Sequence, residues 1–213
     1  MTNFMSVHVV VLGSKQAGKT AVIVRFLTKR YIGEYKSNID WLYKHSVTFD
    51  DMVSNVEILD VSRWPNDSMP EEEVRWADAC LVIYSICDRD SFNKAHDSLD
   101  LVHRLRAPGY VPIVLVGNKK DLEHCRQVSY EDGSELASQY GCKFYEVSAA
   151  DSFVEVSTAF QNLIREARTL HLQRSLPRQR KLSIVSMSKM FGAMFGKTSP
   201  KVVVKDKRPS FSL

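Results

Sequence analysis

The sequence predicts an α/β fold: a doubly wound, mostly parallel six-stranded sheet with flanking helices. Three observations lead there. Six short apolar runs alternate with longer segments of helical periodicity, the order that builds parallel sheets. Two of those runs, residues 79–85 and 113–117, are continuously apolar, as strands buried on both faces are. The first run passes through a glycine loop straight into a helix-like segment. At 213 residues and 44% apolar, the chain can bury one good-sized core and still carry an appendage.

Taken in order, the first strand is Val7 to Leu12. It is followed by Gly13-Ser14-Lys15-Gln16-Ala17-Gly18-Lys19-Thr20, which fits the pattern G-x-x-x-x-G-K-[ST] in the strand-loop-helix setting that pattern requires. Gly13 and Gly18 let the backbone turn the N–H groups of residues 13–18 inward around a phosphate. The helix that starts near Lys19 adds its positive end. Lys19 is placed for the outer phosphates, and the Thr20 hydroxyl for one Mg²⁺ position. This is a phosphate loop, or P-loop.

Residues 29–38 form a polar loop over that site. Segments 43–49 and 53–59 alternate in polarity and are joined by Asp50-Asp51, a hairpin signal. The second ends in Ile58-Leu59-Asp60, a carboxylate at the C-terminal edge of a strand, where it can hold Mg²⁺ through water. Residues 61–73 read as a loop with two prolines and an acidic exit. Strand 79–85 comes next, then a helix over 91–105 with Ser91 as N-cap and Phe92, Ala95, Leu99, Val102 and Leu105 as its inward stripe. Strand 113–117, helix 130–140, strand 144–147 and helix 154–170 complete the pattern.

Strand 113–117 runs into Asn118-Lys119-Lys120-Asp121. The two acceptors of an Asp carboxylate match the adjacent N1–H and 2-amino donors of guanine. Adenine lacks that pair and would leave the carboxylate desolvated and unpaired. Asn118 can brace neighbouring loops, and the Lys119 stem can lie along the base. Ser148-Ala149-Ala150, after the last strand, can offer a backbone N–H to the guanine carbonyl.

The net charge of +4 hides an asymmetry. From residue 171 onward there are ten Lys/Arg against one acid, which leaves the body near −5. That balance excludes a nucleic-acid-binding core and points the tail at an anionic surface, or at simple solvation. Cys80, Cys87, Cys125 and Cys142 show no C-x-x-C spacing and read as reduced, structural thiols. No signal peptide or membrane-spanning run is visible, position 2 is not Gly, and the last residues hold no prenylatable Cys. A cytoplasmic monomer, peripheral at the membrane if its tail binds there, is expected.

With G-S-K-Q-A-G-K-T, E-I-L-D, V-G-N-K-K-D and S-A-A in order, residues 6–171 resemble the Ras superfamily of small GTPases. The run from Arg25 to Tyr35 and the basic tail without a prenyl cysteine resemble the RERG (Ras-related estrogen-regulated growth inhibitor) and Ras-like branch. The resemblance implies a Ras-like G domain over 1–171 that binds GTP or GDP with Mg²⁺ and meets effector proteins, followed by a tail over 172–213. It also implies that Tyr31 stacks on guanine, that Tyr35 closes over the phosphates, and that Lys119 and Asp121 hold the base.

The departures fall where the family senses and cuts GTP. Asn38 stands in place of the switch threonine, so an amide oxygen is the third candidate Mg²⁺ ligand beside Thr20 and Asp60. Arg63 replaces the glycine of D-x-x-G, and Trp64 the glutamine that orients the attacking water. An indole has one donor and no acceptor and cannot orient water as an amide does. Lys15 and Gln16 put side chains where many relatives have glycines. Two readings follow: a GTP-binding signalling protein with slow hydrolysis, or a non-switching interaction module on the same fold. In the tail, Leu182, Ile184, Val185, Met187, Phe191, Met194 and Phe195 recur at roughly helical spacing among lysines. Such a face suits an anionic membrane, a calmodulin-like groove, or packing on the body.

Overall fold

Successive side chains of a strand point to opposite faces, and β1 (Ser6–Leu12) uses both. Val7, Val9 and Val11 enter one core, while Val10 and Leu12 enter the other; all five are fully buried. The first core is closed by α1 (Lys19–Thr28) and α5 (Phe153–Ser175), where Phe26 stacks on Phe160 with ring centroids 4.2 Å apart. The second is closed by α2 (Glu71–Trp76), α3 (Arg89–Arg106) and α4 (Tyr130–Gln139). The computed structural model describes residues 6–32, 40–49, 52–61 and 70–175. The chain divides into units Met1–Ser175 and Leu176–Leu213, and every described residue lies in the first.

The remaining strands are β2 (Trp41–Phe49), β3 (Met52–Asp60), β4 (Ala79–Ser85), β5 (Ile113–Asn118) and β6 (Lys143–Glu146). They form one six-stranded sheet in the order β2-β3-β1-β4-β5-β6, antiparallel only between β2 and β3. This is the doubly wound architecture that the alternating runs predict. Register positions the functional ends: Val11 pairs with Asp60, and Ser85 pairs with Asn118. The P-loop, Asp60 and the Asn118 loop therefore leave the sheet at the same edge.

Two expectations change. The acidic exit at residues 71–73 is the first turn of α2, where three glutamates face the positive helix end and Val74 is buried below. Six residues are too few to show a helical period. The N-cap of α3 is Asp88, not Ser91: its carboxylate accepts from the N–H groups of Asp90 at 3.0 Å and Ser91 at 3.2 Å. Ser91 is instead buried one turn in, donating to Asp88 O at 2.6 Å and accepting from Ser85 N at 2.9 Å. Either residue type caps well, and only the chain path selects between them. The last helix also continues to Ser175, past the 154–170 stretch. Asp78 helps hold it, accepting from His171 Nε2 at 2.8 Å and from the His8 backbone N–H at 2.9 Å.

Gly133 lies inside α4, where Ala is the better helix former by about 1 kcal/mol. A Cβ there would approach Phe144 Cζ and the Tyr84 hydroxyl to 2.4 Å each. Overpacking of this kind costs about 1–3 kcal/mol, so the clash outweighs the propensity. Gly133→Ala should lower the urea midpoint with an unchanged m-value; a raised midpoint would show that α4 shifts freely on β6.

Candidate functional site

The P-loop leaves β1 at Gly13 with φ 140° and closes at Gly18 with φ 93°. Neither position has room for a side chain. A Cβ on Gly13 would lie 2.1 Å from Ile83 O, and one on Gly18 2.2 Å from Asn118 Nδ2. The loop thus wraps close against β4 and β5, with Ala17 buried and Lys15 and Gln16 exposed. Gln16 holds a left-handed φ of 66° without being glycine.

Lys19 opens α1 and turns its ammonium back into the loop, donating to Gly13 O and Ser14 O at 3.0 Å each. It is 7% exposed. Burial lowers its pKa from the ordinary lysine value, opposed by the charges of Asp60 and then Asp40. The Thr20 hydroxyl donates to Asp60 Oδ2 at 2.5 Å. Asp60 is fully buried, and its Oδ1 has no hydrogen-bond partner among the described residues. Burial raises the Asp60 carboxyl, with the Thr20 hydrogen bond and Lys19 opposing. A buried carboxylate oxygen left without a partner beside a hydroxyl is a donor set that a hard divalent cation fits. The glycine-walled loop around a buried lysine likewise fits a phosphate.

Asn118, 2% exposed, joins this half to the other. Its Nδ2 donates to Ala17 O at 3.0 Å, and its Oδ1 accepts from Ala149 N at 3.3 Å. The bracing expected of it is present on both sides. Asp121 is exposed, and its Oδ1 accepts from the Ser148 hydroxyl at 2.7 Å. A carboxylate has about four acceptor sites, so this bond orients the group without exhausting it. Lys119, with φ 70°, caps a 3-10 turn over Lys120–Cys125. A cavity of about 350 Å³ is lined by Gly18, Ala21, Tyr31, Asn118, Lys119, Asp121, Leu122, Ala149 and Ala150.

The structure therefore gathers Gly13 to Thr20, Tyr31, Asp60, Asn118, Lys119, Asp121 and Ser148 to Ala150 at one edge of the sheet. Ala149 and Ala150 both line the cavity, and the Ala149 N–H is engaged by Asn118. Tyr35, Asn38, Arg63, Trp64 and residues 176–213 of the tail lie outside the described residues. Sequence reasoning misses Ile83, Leu122 and the pair Arg126–Glu146. Arg126 bonds both Glu146 oxygens, at 2.7 and 2.9 Å, and the Val128 carbonyl at 2.9 Å, fastening the loop after Asp121 to β6. The two carboxylates beside it, Glu146 first and then Glu123, raise its pKa further. No local pattern marks such a pair.

The family model described as the Ras family matches residues 8–169. The chain belongs to the Ras family. Its similarity to human "Ras-related and estrogen-regulated growth inhibitor" is 37% identity over 180 residues, covering 84% of this chain and 90% of that protein. With "Ras-related and estrogen-regulated growth inhibitor-like protein" of Bos taurus it shares 38% over 202 residues, 90% of this chain and 96% of the relative. "Ras-like protein family member 11B" of Xenopus tropicalis is 36% identical over 191 residues, 86% and 76% of the two chains. The protein is thus a small-GTPase-family chain of the RERG/Ras-like branch. Ras-family GTPases bind GTP or GDP with Mg²⁺, and the glycine cradle, the buried lysine and the partnerless Asp60 oxygen fit those groups.

Without nucleotide or Mg²⁺, Asp60 is a stability cost. Its folded pKa exceeds the unfolded value, so over that window the native state binds more protons and stability falls as pH rises. Thermal unfolding of stripped protein should show the parent losing ground to Asp60→Asn as pH rises from about 4. A parent that gains on the variant over that range would refute the buried, unsatisfied carboxylate.

Proposed function

We propose that this chain is a GTP-binding signalling protein that holds guanine nucleotide and Mg²⁺ in this site and hydrolyses GTP slowly. The observation carrying the reading is the Asn118 side chain. It ties the phosphate loop at Ala17 to the loop at Ala149, beside the cavity that Asp121 faces. Phosphate and base recognition are thereby one rigid unit. Gly13 to Gly18 offer N–H groups and Lys19 a cation to the phosphates. Thr20 and Asp60 hold Mg²⁺, whose positive charge offsets that of the phosphate oxygens. Tyr31 and Lys119 flank the base, Asp121 accepts from its two donors, and Ala150 donates to its carbonyl.

Guanine specificity follows from Asp121. GTP and GDP should displace a fluorescent guanine nucleotide about 10⁴-fold better than ATP. Asp121→Asn should move the preference toward xanthine, whose 2-position is an acceptor suited to an amide donor. Equal competition by ATP and GTP would sink the base-site assignment.

Slow hydrolysis is inferred from sequence positions. Cleavage in this family, as in Ras itself, requires a positioned water beside a Mg²⁺-bound γ-phosphate, with little covalent chemistry from the protein. Here Trp64 cannot orient the water, Arg63 replaces the γ-contacting glycine, and Asn38 replaces the Mg²⁺-sensing hydroxyl. The same three residues favour the second reading, a G-domain module that holds nucleotide without switching. Single-turnover hydrolysis of preloaded GTP separates the cases. The first reading expects a slow parent that Trp64→Gln accelerates, and the second a parent and variant both without turnover. Fast cleavage that collapses in Arg63→Ala would instead make Arg63 an arginine finger in cis and overturn slow hydrolysis.

A further inference from the structure

The four cysteines are free thiols of two kinds. Cys80 is fully buried in β4, and burial pushes its thiol up to about 12; Cys142, packed beside β6, is pushed up by burial to about 11. Both are unreactive packing residues. Cys87 and Cys125 are brought from distant parts of the chain to one patch of surface.

Cys87 lies half-buried in the loop between β4 and α3, and Cys125 is exposed at the end of the 3-10 turn Lys120–Cys125. Contacts on either side of Cys125 fasten these segments together. The Cys87 thiol donates to Leu122 O at 3.5 Å. Ile86 O accepts from Gln127 N at 2.8 Å and from Val128 N at 3.0 Å. Cys125 is two residues from Gln127, so their Cα atoms are within about 7 Å. With Leu122 held at Cys87 and Gln127 held at Ile86, Cys125 is kept in the neighbourhood of Cys87. Electrostatics agrees: burial raises the Cys87 thiol, and the next influence is the Cys125 sulfur, ahead of Ser85, Lys119 and Asp121.

We propose that Cys87 and Cys125 form a dithiol that peroxide closes into an intramolecular disulfide, a regulatory modification site beside the base cavity. The exposed Cys125 thiolate attacks one peroxide oxygen. The O–O bond breaks, hydroxide leaves and takes a proton to become water, and Cys125 becomes a sulfenic acid. Cys87 then gives up its proton and attacks that sulfur, expelling hydroxide, which that proton converts to a second water. Two thiols are oxidised by two electrons, and one peroxide is reduced to two waters. Disulfides in a reducing compartment are characteristically of this transient, sensing kind.

Lys119 and Asp121 begin the turn that Cys125 ends. A bridge fastens that turn to the β4–α3 loop. Short exposed turns open at low cost, and a covalent tie removes freedom from the opened state. The bridged protein therefore releases guanine nucleotide more slowly. This consequence rests on the guanine-nucleotide reading above; the bridge itself does not.

Full-length protein is treated with hydrogen peroxide, unfolded and blocked with N-ethylmaleimide under denaturing conditions, and digested with trypsin. Two of the four thiols should escape alkylation. The peptide 76–89 should be linked to 121–126, reversibly by dithiothreitol, and the link should vanish in Cys87→Ser and in Cys125→Ser. A link that persists in Cys87→Ser assigns the bond to Cys80 and overturns the pairing. So does Cys125 oxidised without a partner, or joined to a second chain. In the second arm, release of a fluorescent guanine nucleotide should slow severalfold on oxidation in the parent and stay unchanged in Cys125→Ser. A mapped bridge with unchanged release overturns the coupling alone. Failure of the reduced protein to hold any guanine nucleotide overturns the functional reading and leaves the thiol result standing.

Discussion

The buried amide of Asn118 is the contact on which the site's geometry depends. It ends β5, and its two polar atoms go to different loops, Ala17 of the phosphate loop and Ala149 after β6. An amide supplies one acceptor and a pair of donors on adjacent atoms, and few other side chains could serve both partners from one buried position. Gly18 is constrained by the same group, since a Cβ there would collide with Nδ2. Glycine at this place thus answers two needs at once: a left-handed backbone and room for its neighbour.

Around that contact the site is electrostatically unfinished. Lys19 and Asp60 are both buried, and burial disfavours the charged form of each. Among the described residues, the Lys19 ammonium donates to two carbonyl oxygens, and Asp60 has one oxygen bonded to Thr20 and one without a partner. By contrast, the half-buried Arg126 is closely paired with Glu146. Functional sites are where such costs are tolerated, because a bound ligand supplies the missing partners. A phosphate at the lysine and a divalent cation at the carboxylate would supply those partners.

Neighbouring contacts hold the exposed candidate base-site residue in place. Asp121 is on the surface, yet the Ser148 hydroxyl orients it and Arg126 fastens the turn that follows to β6. Lys120 adds a salt bridge to Glu155 on α5 at 3.0 Å. Exposed pairs of that sort contribute little energy, but they restrict where the turn can go.

The sequence by itself determined the sheet, the order of its elements and where along the chain the candidate site residues stand. Those features rest on local signals: period-two and continuous apolar runs, glycines at loop corners, and short motifs of fixed spacing. It also placed Asn38, Arg63 and Trp64, because position along a family pattern is a property of the chain alone. Tertiary structure decided what local signals cannot hold. Asp88, not Ser91, caps α3, because both can cap and only the chain path chooses. The six-residue α2 has too few turns to show a period, and its stability comes from Val74 packing in the core. The link from Asn118 to Ala17, the Arg126–Glu146 clasp and the contact of Cys87 with Leu122 join residues far apart in the chain. Side chains that meet only after the sheet closes leave no periodicity to read, so folding itself determines those contacts.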